Sequence, residues 1–198
     1  MVVVLLGITS AMFSTLLTVV GTRSTQITKQ NVLQTEGRAA LDQMVGELRN
    51  ASYGDITPPI TTYLSNEMKF YSPDRQQPYH MREIRYIVAG NALKREEKIS
   101  TNTGGPPWTF PASPRATQTL FDSIVNPITV FRYCTQTPRD LAVQTGVQTM
   151  DLITWTCTAA TTASNVKTVL VTVGVLATNR PGIEYRLGAV ATIRMNAA

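Results

Sequence analysis

Residues 1–24 read MVVVLLGITSAMFSTLLTVVGTRS, and Arg23 is the first charge in the stretch. Crossing the hydrocarbon core of a bilayer takes about 20 predominantly apolar residues as a helix, so this opening is long enough to do so. The helical pattern does not stop there. No proline occurs between Gly21 and Ser52, and Ile27, Ala40, Leu41, Met44, Val45 and Leu48 fall at helical spacings. Residues 1–52 are therefore predicted as one helix of about 50 residues, roughly 75 Å long at 1.5 Å per residue. Its first half is apolar on all sides, as in lipid or a helical bundle, and its second half is amphipathic, as expected where one face packs on a domain. Tyr53-Gly54-Asp55 and Pro58-Pro59 end it, since proline cannot continue the hydrogen-bond ladder.

A cleavable signal peptide would carry a basic n-region and a shorter apolar core, and neither is present. A plain signal anchor fits the length. The nearby cations Arg23, Lys29 and Arg38 all follow the apolar run, which taken alone orients the N-terminus outward. That orientation would leave the polar remainder in the cytoplasm. A basic segment ahead of Met1 is the expectation that reverses it.

From Met68 onward the pattern turns to strands. Ile84, Tyr86 and Val88 alternate with Arg85 and Ile87, and Ala89-Gly90-Asn91 supplies a turn before Leu93, the pattern of a hairpin. Further strands are predicted at 128–134, 152–158, 166–177 and 185–195 from their β-branched content. The stretch 104–114, rich in Gly and Pro, reads as a loop. The expected fold class is α+β: a long N-terminal helix on an antiparallel β-sheet domain that covers residues 53–198.

Two cysteines, Cys134 and Cys157, fall at predicted strand ends, with no C-x-x-C and a single histidine in the chain to complete a metal set. Beside a membrane-targeting N-terminus they read as a disulfide in an oxidising compartment, worth about 3 kcal/mol in the chain-entropy model. Two free buried thiols are the alternative. The net charge of +5 and pI near 9.4 come from scattered bases. The densest group, Arg82, Arg85, Lys94, Arg95 and Lys98, is interleaved with Glu83, Glu96 and Glu97, which reads as solvated strand faces and not as a nucleic-acid footprint.

No constellation for catalysis emerges. His80 has no second ligand or nucleophile near it in sequence and reads as a solvated loop residue. Glu96 and Glu97 are adjacent on a strand, point to opposite faces and read as a solubilising edge. Thr103-Gly104-Gly105 lacks the Gly-Lys-Ser/Thr of a phosphate loop. No enzyme, metal or cofactor is expected. Tyr79, Trp108 and Phe110 are aromatics in predicted loops, expected to pin those loops to the sheet, with an adhesive tip as the alternative.

An apolar half-helix, an amphipathic half-helix and a β-rich domain with two cysteines together resemble the type IV pilin family, which includes the pseudopilins of type II secretion. Residues 1–8 look like the stretch that follows the Phe-Thr-Leu-x-Glu-Leu type start of processed pilins. Residues 36–51, EGRAALDQMVGELRNA, are similar to the helix of larger minor pilins and J-type pseudopilins. Residues 84–95 look like their first hairpin and 190–196 like their last strand. The resemblance implies a subunit stored in the bacterial inner membrane and then moved by an assembly platform into an extracytoplasmic or cell-surface filament of homologous subunits.

In that reading Val2, Val3, Leu5, Leu6, Gly7, Ile8, Ala11, Met12, Phe13, Leu16 and Leu17 form the helix-bundle assembly surface, first against lipid and then against neighbouring helices. Gly7, Ser10, Ala11 and Ser14 would allow close approach on one side, and Gly21 would be a soft point between the halves. A leader and the glutamate-bearing start are expected ahead of Met1; the alternative is assembly without that carboxylate. Secretion, motility, DNA uptake and attachment all fit such a filament. A membrane-anchored or secreted binding module that never polymerises is the competing reading.

Overall fold

The computed structural model describes residues 2–51, 60–74, 79–125, 130–136, 157–176 and 184–193, with helix side chains from Met12 onward. One helix, α1 (Val2–Arg49), runs unbroken through Gly21. It is followed by strands β1 (Ile60–Tyr63), β2 (Glu67–Asp74), β3 (His80–Ala89), β4 (Ala92–Ile99), β5 (Ala116–Phe121), β6 (Ile124–Val125), β7 (Phe131–Cys134), β8 (Thr168–Leu176) and β9 (Glu184–Thr192). The architecture is α+β, with a helix packed on antiparallel sheet.

Strands β1 to β5 form one antiparallel meander in chain order. The predicted hairpin is its centre: β3 and β4 pair from Ala89↔Ala92 to Arg82↔Ile99 around Gly90, whose φ of 61° suits glycine. In the second sheet β8 is the central strand, with β9 along one edge and β6 and β7 in succession along the other. Strands β1, β5 and β6 are additions to the expected set. All three are short, so none carries a strong alternating signal. The expected strands at 128–134, 166–177 and 185–195 appear as β7, β8 and β9. Most of the expected strand at 152–158 lies outside the described residues.

The sheets are joined at the β1–β2 turn. The backbone N–H groups of Val130 and Phe131 both donate to Ser65 O at 2.9 Å, and Tyr133 Oη lies 3.0 Å from the carbonyls of Leu64 and Glu67. Tyr133 also meets Tyr63 edge to face, with ring centroids 5.9 Å apart. Buried phenols need such partners, because an unmet polar group in the interior costs roughly 1–3 kcal/mol.

α1 lies against β9 and β5 and reaches β2 and β8. The expected stripe is the buried one: Ala40, Leu41, Met44 and Leu48 enter the core with Phe70, Ile84, Tyr86, Phe121 and Val173, and Val45 packs beside them. Full burial of Met44 and Leu48 is worth about 1.5–3 kcal/mol each. Ile27 departs from the expected stripe. It is 54% exposed, because the helix meets the sheets only from about Leu33 onward.

Gly37 marks the closest approach. A Cβ there would sit 2.5 Å from Leu187 Cδ1, whereas one at Gly46 would meet nothing within 4 Å. Replacing glycine by alanine inside a helix normally gains about 0.5–1 kcal/mol. Gly46→Ala should realise that gain as a higher denaturation midpoint. Gly37→Ala should forfeit it, and Gly37→Val should lower the midpoint, since the branched side chain must displace both Leu187 and Phe121.

Candidate functional site

Two features of α1 stand out: large apolar side chains open to solvent from Met12 onward and a base that is locked down. Among the described side chains, Met12 is 66%, Phe13 67%, Leu16 64% and Leu17 58% exposed, and Val19, Val20 and Val32 are also open. Apolar side chains this large normally sit inside, so a contiguous set of them marks a contact surface. At about 100° per residue, Met12, Phe13, Leu16, Leu17 and Val20 fall on one side of the helix, and Ser14, Thr18, Gly21, Thr22 and Thr25 on the other. The helix from Met12 is thus two-faced, where the sequence pattern suggested apolar character all round.

The hydroxyls on the second face are already satisfied. Thr18 donates to Ser14 O at 2.9 Å, Thr22 to Thr18 O at 3.0 Å and Thr25 to Gly21 O at 2.9 Å. A threonine bonded back in this way presents its methyl group outward and needs no water. Val2, Val3, Leu5, Leu6, Gly7, Ile8 and Ala11 continue the same helix, but their side chains lie outside the described residues. No helix is long and apolar enough to cross a membrane among the described residues, which hold only the part of the apolar run that follows Ala11.

The base of α1 is held by charge. Glu47, in the last turn of the helix, faces β3 and β4, where Tyr86 and Arg95 are register partners on the inner side of the meander. Tyr86 Oη donates to Glu47 Oε2 at 2.5 Å, and Arg95 reaches Glu47 Oε1 through Nη2 at 2.8 Å and both carboxylate oxygens through Nε at 3.0 Å. Glu97 Oε2 takes Arg95 Nη1 at 2.7 Å. Arg82 Nη2 donates to Ser72 Oγ, and Ser72 donates to Asn50 O, each at 3.4 Å. Burial, reinforced by the Glu47 charge, pushes the Tyr86 phenol well above its usual range. Arg95 and Glu97 were expected on solvated faces and an edge. Arg95 is 7% exposed, and β4 is flanked by β3 and β5, so it is no edge.

The remaining candidates resolve locally. Cys134 and Cys157 are joined in a disulfide, with Cα atoms 5.7 Å apart. His80 opens β3, and its Nδ1 lies 3.0 Å from Ser100 O, so it is a bonded strand residue and not a solvated loop one. Ser100 Oγ is 3.5 Å from the same nitrogen, but that hydroxyl is buried, donates to Asn102 O and accepts from Met81 N–H, which leaves no free nucleophile. Trp108 packs on Tyr79 and Phe110 on Tyr71, with centroids 5.7 and 5.4 Å apart, so the loop aromatics do pin the loop to the sheet. Among known proteins, no family profile, no curated protein and no solved structure matches this chain.

Removing one partner of a buried ion pair is costly, so Glu47→Leu should destabilise the fold by about 3 kcal/mol. Tyr86→Phe leaves the Arg95 pair intact and should cost about 1 kcal/mol, both read from denaturant midpoints. A second effect should follow pH. The Arg85 guanidinium hydrogen-bonded to Glu67 holds that carboxyl below its usual value of 4.5. A carboxyl lowered in the folded state adds stability above its unfolded value and loses it as pH falls through the folded one. Glu67→Gln should therefore flatten the acid limb of a stability–pH curve below pH 4.5 and barely alter its slope near neutrality.

Proposed function

We propose that the chain is a structural subunit of a type IV pilus-like or type II secretion pseudopilus filament, assembled through α1. The observation that supports it best is the half-helix with Met12, Phe13, Leu16 and Leu17 open to solvent, ahead of a base that is firmly docked. Such a side wall has no use within the chain itself. Lipid, and later the helices of homologous subunits, would cover it. Lipid is as apolar as leucine, so transfer between the two gains little from burial and is driven by packing, which favours a helix with one bulky and one small face.

The distribution of charge fits this course. Arg23 and Lys29 are the only charges ahead of Glu36, placed to lie at the headgroup level of an inner membrane before the assembly platform withdraws the subunit. The domain that follows would face the extracytoplasmic side, where an oxidising compartment keeps the Cys134–Cys157 bond. Nothing in the polar cluster at the helix base serves chemistry; it fixes the angle at which the shaft element leaves the domain.

The test is a single charge on the open face. Leu16→Asp should abolish filament incorporation, seen by electron microscopy with a tag on the C-terminal domain, because a carboxylate in an apolar bundle costs about 2.5–3.5 kcal/mol. Leu16 makes no core contact, so the thermal midpoint of the folded domain should not move. A Leu16→Asp subunit that still labelled filament shafts would refute the bundle, and an unlabelled wild type with intact filaments would favour a membrane-anchored module instead.

A further inference from the structure

The outer face of the meander, turned away from α1, carries a second and independent feature: a cavity of about 400 Å³ between β2–β4 and the loop that ends at Pro114. Its floor consists of two rows of alternating charge. In the first, Arg85 is locked between two carboxylates, with Nε to Glu67 Oε1 at 2.8 Å, Nη2 to Glu67 Oε2 at 3.0 Å and Nη1 to Glu96 Oε2 at 3.0 Å. In the second, Glu83 lies between Lys69 and Lys98, and every contact is long: 3.6 Å to Lys69 Nζ, 3.7 Å to Lys98 Nζ and 3.5 Å from Tyr71 Oη. Charge-assisted hydrogen bonds normally close to about 2.7–2.9 Å. The first row is joined by short hydrogen bonds, whereas the second is spaced about 0.7 Å wider, around a carboxylate whose side chain is only 12% exposed.

We propose that this cavity binds a neutral saccharide through a vicinal pair of hydroxyls seated on Lys69, Glu83 and Lys98. A hydroxyl donates and accepts at a single atom, so it can donate a hydrogen bond to Glu83 while accepting one from a flanking ammonium. The adjacent hydroxyl then takes the other lysine. The two rows carry opposite net charge, +1 and −1, so the floor as a whole is neutral. Ala112 and Pro114 supply a non-polar wall against which the C–H face of a sugar ring can lie.

The part of the loop that leads into this wall is braced from within. Asn102 Nδ2 donates to Gly105 O at 2.8 Å and Pro107 O at 3.0 Å, and its Oδ1 accepts from the Thr109 N–H at 3.0 Å. Phe110 stacks on Tyr71 at one end of the cavity. A cavity that needs no reordering loses little affinity to loop entropy.

The test is a titration of the full chain, in a detergent without a sugar headgroup, with maltotriose, chitotriose and trigalacturonate, followed by amide shifts in a 1H–15N correlation spectrum. Saturable shifts at Lys69, Glu83 and Lys98 with a neutral trisaccharide are expected at millimolar concentration. Glu83→Gln should weaken them about tenfold, the effect of one hydrogen bond to a charged group. Should that variant lose the dispersed spectrum of the wild type, Lys69→Met and Lys98→Met give the same reading from the other partners. No saturable shift with either neutral sugar, equal affinity in wild type and variants, or binding of trigalacturonate alone that disappears with salt would each overturn the proposal.

Discussion

The carboxylate of Glu47 is the point on which the arrangement of helix and sheet depends. Among the described side chains of α1, it alone meets both a phenol and a guanidinium of the inner sheet face. A hydrophobic face alone would let a helix slide or roll over a sheet at little cost, because dispersion contacts are non-directional. Arg95 presents a rigid planar fork, and a carboxylate held by it has little freedom in position or angle. Met44 and Leu48 therefore supply the burial and Glu47 the direction. The same pair explains why Arg95 can be buried at all: isolated charge in a core is unaffordable, and Glu47 with Glu97 surround it with acceptors.

Because the base is fixed, the free half of α1 acts as a lever with a defined exit. Its wall divides into bulky apolar side chains on one side and back-bonded threonines on the other. An apolar face of this kind can pack on a like face or on the threonine face of another helix, and the smaller side chains of the second allow the closer approach.

Much of this was legible in the residues. The length of α1, the stripe Ala40, Leu41, Met44, Val45 and Leu48, the β3–β4 hairpin and the cysteine pair all follow from patterns with a strong period or a strong chemical preference. What escaped was set by tertiary pairing. Arg95 and Glu97 look the same in sequence as any charged residues on a wet strand; only the register with Tyr86 and Ile84 turns them inward. Alternation along Leu93, Arg95 and Glu97 was the available signal, since Leu93 is plainly a core residue and every second position after it shares its face. Ile27 failed in the opposite sense: it has the right spacing but lies ahead of the point where any sheet is present to receive it.

Sheet one has a charged lattice on each side, and the two differ in closure. On the inner face Arg95 has carboxylate oxygens of Glu47 and Glu97 at 2.7–3.0 Å where α1 covers the sheet, while Arg82 stands 4.0 Å from Glu97 and donates to Ser72 at 3.4 Å. On the outer face the Arg85 row is equally closed, yet Lys69 and Lys98 stand 3.6 and 3.7 Å from Glu83, beyond hydrogen-bonding distance. The difference follows from the side chains: a guanidinium fork can bridge two carboxylates at once, whereas an ammonium is a point charge on a flexible stem. Separation of the two faces also means that packing of α1 in an assembly would leave the outer cavity untouched, so a subunit fixed in a shaft could still present it.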